Sequence, residues 1–383
     1  MIDPGPVAAF LGDVHLEVAA RLRDLKLPED SAEDDTAARR QSRDILVALG
    51  SQGWLGCVVP PEHAQNPAGP FDSRTLCLIR ETLGYLSPLA DAVFALQGLG
   101  SRPLVLAGTP EQQRRWLPAV ARGEAMAAFA MTEPEAGSDV ASVTTTAREI
   151  ADGWRLEGMK TLISNAGLAD FYVVFASFDP EQKSRGIGAY LVEAGAPGLH
   201  FVRPQVPSAP HPLGEVAFRD CAAELIGREG FKLGMRTLDA LRVSVAAAAC
   251  GMAARALHEA RYYAVRRRQF GKALAEFQLV QEKLSRMAIG LDAARLLTYR
   301  AAWKRDQGEA ATLEVAMAKA FATETAQDVI DQAMQVCGGA GMLAGHPVER
   351  LYRAIRPLRI YEGTTEIQYL IIARELCKDV DAA

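Results

Sequence analysis

The sequence predicts an α+β fold of three domains in the order helical, β and helical. We expect an N-terminal α-helical domain over residues 1–125, a central β-barrel-like domain over 126–232 and a C-terminal four-helix bundle over 233–383. Apolar residues recur three and four positions apart in the two outer regions, whereas the middle region has short alternating runs separated by Gly, Pro, Asn and Asp. This order does not match the alternating strands and helices of a doubly wound sheet.

The apolar pattern also places the individual elements. In the first domain it predicts helices over 8–25, 37–53 and 73–86, with a Pro- and Gly-rich loop over 58–72. In the second domain it predicts strands over 153–164, 170–178 and 186–194. In the third domain it predicts long helices over Leu233–Arg267, Glu276–Gln307 and Thr312–Cys337, and a last one over Thr365–Cys377. Short connections between long helices indicate a bundle.

The composition bounds the partners and the compartment. A formal net charge of -5 over 383 residues leaves no global basic field for nucleic acid or anionic lipid. The longest apolar run, Val243 to Ala254, is shorter than the ~20 residues of a membrane span, so we expect a buried core helix and no membrane association. The N-terminus lacks the layout of a secretory signal. Six scattered cysteines without a CxxC pair favour reduced thiols in the cytoplasm.

Several common site motifs are missing or out of place. The stretch from Gly339 to Ala344 fits GxGxxA, but it follows a helical run instead of a strand, which argues against a nicotinamide site. The six histidines include no HExxH, and no GxSxG elbow occurs, so neither a metal site nor a serine hydrolase is predicted.

Four segments carry potential chemistry, and each has an ordinary structural alternative. FAMTEPEAGSD (129–139) is also a polar turn, and KTLISNAG (160–167) is also a strand end with a turn. The arginines of RRRQFGKALAEFQ (266–278) suit a solvated surface as well as a pyrophosphate. In the last segment, Glu362 precedes a helix, where a carboxylate is commonly only a favourable contact with the helix dipole.

Taken together, these segments resemble the acyl-CoA dehydrogenase family, and the resemblance spans nearly the whole chain in the right order. AMTEPEAGSD, RRQFGKALAEFQ and YEGTTEIQ are its strongest marks. The resemblance implies FAD as cofactor and an acyl-CoA as substrate. It also implies electron-transfer flavoprotein as the electron acceptor and a homodimer or homotetramer as the assembly.

The resemblance further implies which residues bind FAD. The segments of the central domain are expected to line the flavin through Phe129, Met131, Thr132, Gly137, Ser138, Leu162, Ile163 and Ser164. A neighbouring subunit is expected to reach the diphosphate and adenosine through Arg267, Gln269, Phe270, Gln335, Gly338 and Gly339. Thr364, Thr365 and Glu366 are expected to contact the dinucleotide near the flavin. The family often has Trp where this chain has Leu162, which removes an aromatic stacking surface.

Glu362 matches the family's usual catalytic base, which removes the α proton while the β hydrogen leaves as hydride to flavin N5. The α proton of a thioester is weakly acidic and a free Glu has a pKa of about 4.3, so a dry pocket that raises this pKa would strengthen the base. The Glu362 backbone N–H and a flavin ribityl hydroxyl are expected to stabilise the developing enolate.

Other residues are assigned to the substrate by the same resemblance. Arg242 is expected to tune or orient the base, and Asp239 to lie near the CoA-binding region. The remaining expected substrate contacts are Ser138, Tyr361 and Gly363. Some relatives carry the base at the position of Leu241, which cannot take a proton.

The segment from Asp91 to Gln97 is expected to approach the tail of the substrate. We expect Asp91 itself to be a surface or helix residue. If it is buried instead, it would favour a polar or cyclic acyl group or act as a second proton acceptor.

Two rival functions remain open at this stage. A flavin monooxygenase or oxidase of the same fold needs no thioester-directed base, so Glu362 counts against it. A non-catalytic nucleic-acid-binding relative is disfavoured by the balanced charge. The acyl chain, the choice between CoA and an acyl carrier protein, and the pathway are not readable from the residues.

Overall fold

The computed structural model describes residues 2–29, 32–65 and 67–378. The chain folds as two compact units. The first, here the bundle unit, comprises Met1–Asp24, Asp72–Asp91 and Arg242–Ala383. The second, here the barrel unit, comprises Leu25–Phe71 and Ala92–Leu241. The three-domain boundaries of the sequence stay a prediction.

A seven-stranded sheet forms the centre of the barrel unit. Its strands are β1 (Ala127–Ala130), β2 (Thr146–Ile150), β3 (Gly153–Ser164), β4 (Phe171–Ser177), β5 (Ile187–Glu193), β6 (Leu199–Pro204) and β7 (Leu213–Gly227). Pairing runs from β4 to β5, β7, β3 and β2, and β2 meets β4 again where Thr146 pairs with Ser177, so the strands close a ring. β1 joins β4 in parallel, and β6 joins β7. The predicted barrel-like domain is confirmed.

The strands close because the side chains inside the ring are large and apolar. β4 is buried along its whole length, as expected for a strand covered on both faces. Trp154 of β3 packs against Tyr190 of β5 with ring centroids 5.1 Å apart. Phe218 and Val174 complete the same core cluster.

Three helices accompany the barrel. They are α2 (Asp35–Ser51), α4 (Pro88–Ala107) and α5 (Pro110–Ala121). Asp34 caps α2 by accepting a hydrogen bond from the Ala37 amide at 2.7 Å. Arg39 of α2 donates to the carbonyls of Ala166 and Leu213, at 2.8 and 3.0 Å, and so ties this helix to the barrel.

Helices dominate the bundle unit. They are α1 (Asp13–Arg21), α3 (Ser73–Leu86), α6 (Gly230–Arg266, which belongs to this unit from Arg242 onward), α7 (Gln278–Asp306), α8 (Thr312–Cys337), α9 (Pro347–Ile355) and α10 (Thr365–Cys377). A short hairpin, β8 (Arg268–Gln269) with β9 (Lys272–Ala273), separates α6 from α7. The four long helices predicted for the last domain are present within a few residues of their expected ends. The short α9 was not predicted as a separate element.

Helix α6 is long and apolar enough to span a membrane by length and composition, but 83% of its most apolar stretch is buried inside the protein. The segment Val243–Ala254 is the expected buried core helix. Small residues bring it close to α3: a Cβ on Gly251 would lie 1.9 Å from the Glu81 carbonyl oxygen, and one on Gly84 would lie 2.4 Å from that of Ala248.

A buried carboxylate joins α3 to α7. Glu81 is fully buried and accepts a hydrogen bond from Arg295 Nε at 2.6 Å and one from the Tyr299 hydroxyl at 2.6 Å. Burial, reinforced by the Glu81 charge, raises the pKa of Tyr299 well above its usual value, so this hydroxyl remains a donor. A buried ion pair of this kind makes the loss of either partner costly.

We expect Glu81→Gln to lower the free energy of unfolding by about 3 kcal/mol, because Arg295 would keep a buried charge without its partner. Urea unfolding of the purified protein, followed by circular dichroism, measures this loss. Glu259→Gln is the matched control, since Glu259 pairs with Arg255 on α6 at a partly exposed position. The control should lose less than about 1 kcal/mol, and equal losses in the two variants would contradict the argument.

Candidate active site

Glu362 lies on a sharp turn just before α10. Its φ is 54° and that of Gly363 is 90°, so two successive residues occupy the left-handed region. This conformation is strained for a glutamate, by about 1–3 kcal/mol, and it persists only where the surroundings impose it. Gly363 cannot be replaced without displacement, because a Cβ there would lie 2.6 Å from Gln368 Nε2. Strained backbone at a carboxylate marks this turn as a candidate site.

Three side chains from three helices impose the turn. Arg242 of α6 donates from Nε to the Glu362 carbonyl oxygen at 3.0 Å. Lys319 of α8 donates from Nζ to the Gly363 carbonyl oxygen at 2.7 Å, and Gln368 of α10 donates to the same oxygen at 3.0 Å. The backbone of the turn is therefore fixed by long-range donors and not only by its own sequence.

Glu362 is half-buried, and one of its carboxylate oxygens is shielded from solvent. Its Oε2 atom is buried and has no hydrogen-bond partner in the part of the chain that the structure describes. Burial raises the pKa of Glu362; the charges of Arg80, Arg242 and Lys319 oppose this rise, and that of Asp91 reinforces it. An unpaired acceptor with a raised pKa is the state that a general base needs.

Asp91 lies in helix α4, as one alternative of the sequence expectation had it, but at 1% exposure it is buried, so the surface alternative was wrong. Its carboxylate forms a two-pronged ion pair with Arg80, at 2.8 Å from Nε and 2.8 Å from Nη2. Arg80 also donates to the Ser244 hydroxyl at 3.0 Å and hydrogen-bonds with Tyr361. The sequence pattern could not show this pairing, because Arg80 lies 11 residues before Asp91 on another helix.

In the barrel unit, the segment after β1 is shaped by a buried ion pair. Glu133 accepts from Lys160 Nζ at 2.7 Å, from Thr145 N at 3.0 Å and from Thr144 N at 2.6 Å. Lys160 donates also to the Met131 carbonyl oxygen at 3.0 Å. Burial would raise the pKa of Glu133, but the Lys160 ammonium outweighs it and the pKa falls below its usual value. Residues 131–138 are thus held against β3.

The predicted flavin residues of the barrel unit divide into buried and accessible ones. Met131 and Ile163 are buried, and Phe129 packs on Phe175 with ring centroids 4.9 Å apart. Gly137 and Ser138 are exposed, and a Cβ on Gly137 would meet nothing within 4 Å.

Thr132 and the residues near the end of β3 are held by hydrogen bonds. The Thr132 carbonyl oxygen accepts from Thr161 N at 3.0 Å. Leu162 has a φ of 54° and an exposed side chain, and its amide donates to Gln205 at 2.7 Å. The Ser164 hydroxyl contacts His211 Nε2 at 2.7 Å, and burial lowers the pKa of this histidine to about 4, so the ring is neutral at pH 7.

The predicted FAD residues of the hairpin are exposed. Phe270 has a φ of 49° and a side chain that is 93% exposed, which is unusual for a large apolar residue. Arg267 and Gln269 are exposed beside it. An aromatic ring displayed next to arginines on a strained turn fits a binding surface.

The remaining predicted FAD residues lie near the ends of two helices. Gln335, Gly338 and Gly339 at the end of α8 are accessible, and a Cβ on either glycine would meet nothing within 4 Å.

At the start of α10, Thr364 caps the helix by accepting from Ile367 N at 3.3 Å. Thr365 is buried and donates to Glu324 at 2.6 Å, whereas Glu366 is exposed. Of the predicted substrate residues, Tyr361 and Gly363 lie on the same turn as Glu362, whereas Asp239 is partly buried in α6.

Sequence reasoning did not single out four charged residues: Arg80, Glu133, Lys160 and Lys319. Lys319 stands within the apolar run VAMAKAFA and Arg80 within LCLIRETL. A lone cation on an apolar helical face is a signal of buried pairing, because lysine and arginine are almost never fully buried unless paired.

The accessible groups fit FAD. Exposed apolar side chains, Leu162 and Phe270, offer surface to ring systems, and the arginine-rich segment offers bidentate donors to a diphosphate. The open space at Gly137, Gly338 and Gly339 lets a ligand approach the backbone closely.

Comparisons with known proteins agree with this reading. Three models match along the chain: the N-terminal, middle and C-terminal domains of acyl-CoA dehydrogenases, at residues 16–124, 128–221 and 228–377. A 3-(aryl)acrylate reductase of Clostridium sporogenes is 38% identical over 88% of this chain and 90% of its own length. The probable acyl-CoA dehydrogenase FadE25 of Mycobacterium tuberculosis is 36% identical over 96% of each chain. The butyryl-CoA dehydrogenase structure from Megasphaera elsdenii has a TM-score of 0.88 at 31% identity, covering 96% of this chain and 99% of that one.

The fold and its matches define a flavin-dependent oxidoreductase. The chain belongs to the acyl-CoA dehydrogenase family, whose members depend on FAD.

We expect Gly363→Ala to slow flavin reduction by an acyl-CoA about 100-fold, because a displaced turn would misplace the Glu362 carboxylate. Stopped-flow absorbance of the FAD-loaded enzyme under anaerobic conditions measures the rate. Gly308→Ala is the matched control: Gly308 has a φ of 77°, no neighbour within 4 Å of an added Cβ, and a position outside the base turn. If both variants reduce flavin at the wild-type rate, the turn does not aim the carboxylate.

Proposed function

We propose that the protein is an acyl-CoA dehydrogenase that desaturates an acyl thioester between its α and β carbons, with Glu362 removing the α proton. One observation carries the proposal: a carboxylate whose buried Oε2 has no partner among the described residues stands on a strained turn that two long-range donors, Arg242 and Lys319, and the nearby Gln368 hold. No ordinary structural role requires that combination, because a carboxylate that only caps a helix stays solvated or bonded.

The chemistry explains why the carboxylate must be dry. The acidities of an α proton and of a free glutamate differ widely, and burial narrows the gap by raising the pKa of Glu362. The same enclosure strengthens hydrogen bonds to a developing enolate oxygen. We assign the Glu362 backbone N–H as one donor to the thioester carbonyl oxygen, with Tyr361, Gly363 and Arg242 shaping that side of the site.

FAD, when bound, supplies the hydride acceptor for the β hydrogen at N5. Met131, Thr132, Gly137, Ser138 and the 162–164 segment would hold it in the barrel unit. Its diphosphate and adenosine would meet Arg267, Gln269, Phe270, Gln335, Gly338 and Gly339 of a second subunit. Thr364, Thr365 and Glu366 would contact the dinucleotide from the start of α10.

A second subunit is proposed because the bundle unit exposes large apolar side chains. They include Val265, Phe270, Leu279, Ile289, Met342, Leu343, Tyr369 and Leu370. Exposed apolar residues in such number mark protein interfaces. A homodimer or homotetramer would cover them.

The proposed substrate is an acyl-CoA, and the proposed electron acceptor is an electron-transfer flavoprotein. Reduction of an acrylate double bond, the reaction that the name of the Clostridium relative describes, is the reverse of the same desaturation. The same base and the same hydride geometry would serve both directions. We propose a reducing, cytoplasmic location, because all six cysteines are free thiols and five of them are buried.

Glu362→Gln tests the proposal. Gln has nearly the same shape but cannot take a proton, so FAD content and acyl-CoA binding should remain while the rate of flavin reduction falls at least about 100-fold. The measurement is anaerobic bleaching of the flavin by a panel of linear, branched, alicyclic and aryl acyl-CoAs, with binding followed by shifts of the flavin spectrum.

Glu349→Gln is the control, since Glu349 pairs with Arg353 on α9 outside the base turn. Wild-type reduction rates in Glu362→Gln would refute the assignment of the base. Rapid peroxide formation by wild-type enzyme in air, without anaerobic bleaching, would favour an oxidase instead.

A further inference from the structure

Lys319 is a buried cation without an obvious structural need. It lies in the middle of α8 among Val315, Ala316, Ala318 and Ala320, and its side chain is fully buried. Burial lowers the pKa of Lys319 to about 8, although the negative charge of Glu362 opposes this fall. An apolar residue would fit the helix better, because burying an ammonium is expensive.

Among the described residues, its direct polar contact is with the turn that carries Glu362. Nζ donates to the Gly363 carbonyl oxygen at 2.7 Å. The neutral Gln368 amide already donates to that oxygen at 3.0 Å, so the carbonyl has a partner without Lys319. What a lysine adds to this position is charge, since an ammonium attracts the Glu362 carboxylate and does not attract its protonated form.

The other charges that face Glu362 come from the surrounding helices. Arg80 of α3 is a permanent cation whose charge Asp91 of α4 partly offsets through a two-pronged ion pair. Arg242 of α6 is a permanent cation. Lys319 of α8 is therefore the facing cation whose charge changes near neutral pH. Tyr361 on the same turn keeps its proton, because burial raises its pKa.

Lys319 is itself faced by two further carboxylates, Glu324 and Glu366. Glu324 accepts from Arg359 at 2.8 Å and from Thr365 at 2.6 Å, and Glu366 is exposed. Among the described residues, neither carboxylate is hydrogen-bonded to the ammonium, so the direct polar contact of Lys319 is the one with the Glu362–Gly363 turn.

We propose that Lys319 is a positioning residue for the reaction: its ammonium holds the Glu362–Gly363 turn and keeps the Glu362 carboxylate ionised when the substrate arrives. This inference rests on the proposed role of Glu362. Removal of the charge would favour the protonated carboxyl, so a higher pH would be needed before the base works. Removal of the hydrogen-bond donor as well would make the position of the Glu362 carboxylate less fixed.

Two substitutions separate charge from hydrogen bonding. Lys319→Gln keeps a donor and loses the charge. The acid limb of the plot of flavin-reduction rate against pH should therefore move up by about one pH unit. Lys319→Met loses both, so it should show the same shift and a further fall of about tenfold in the maximal rate, with little change in KM. Lys319→Arg keeps charge and donor and should retain the wild-type limb.

The experiment measures anaerobic flavin reduction of the FAD-loaded enzyme between pH 5 and pH 9, with the acyl-CoA that reduces the wild type fastest. A second readout does not require turnover. Acetoacetyl-CoA has an acidic α proton and a β carbon that cannot deliver hydride, so the enolate absorbance of the bound compound reports proton removal alone. Its pH midpoint should move up with the same sign in Lys319→Gln.

The control is Lys304→Gln, since Lys304 pairs with Glu314 at 2.7 Å and does not face Glu362. Urea unfolding and FAD content are measured for every variant. If Lys319→Met does not fold, Lys319→Gln and Lys319→Arg carry the test.

The inference is overturned if Lys319→Gln keeps the wild-type pH dependence of flavin reduction and the wild-type pH midpoint of enolate formation. It is also overturned if the fall in reduction rate is fully explained by a lower FAD content. Failure here leaves the proposed function standing if Glu362→Gln still abolishes reduction. If Glu362→Gln reduces flavin normally, the proposed function itself has failed.

Discussion

The structure of the bundle unit depends on one constraint: the Glu362 carboxylate must be shielded from solvent and must still be able to ionise. Oε2 of the half-buried Glu362 is shielded from solvent and has no hydrogen-bond partner among the described residues. Full pairing with an arginine would lower its pKa and weaken it as a base. The surrounding cations bind the backbone of the turn instead, so that they attract the carboxylate without occupying it.

Burying charged groups costs folding free energy, and the neighbouring buried charges are therefore paired. Arg80 is paired with Asp91, and Glu81, the next residue of α3, is paired with Arg295 and Tyr299. Each pair joins two helices at a fixed register, because a shift of one helix would leave a buried charge alone. The same device recurs in the barrel unit, where Glu133 and Lys160 fix the segment after β1.

Much of the fold was readable from residue patterns because local periodicity survives folding. The long helices of the bundle and the buried strands of the barrel begin and end near their predicted positions. α9 was not predicted separately, since nine residues after a glycine-rich turn give a short signal. The burial of Asp91 was not predicted, for a different reason. An acidic residue in a helix is ordinarily solvated. Asp91 can be buried because it pairs with Arg80, and sequence spacing does not identify that partner.

The sequence by itself determined the class of fold and the family, and it predicted the residues proposed to carry the chemistry, because these inferences rest on short motifs and on the order of helices and strands. Only the tertiary structure decided the state of those residues. The burial of Glu362, the donors that hold its turn and the cations that face it were visible only in the structure. They depend on side chains from α3, α6, α8 and α10 that come together when the protein folds. Such meetings follow from packing in three dimensions, and no local pattern along the chain records them.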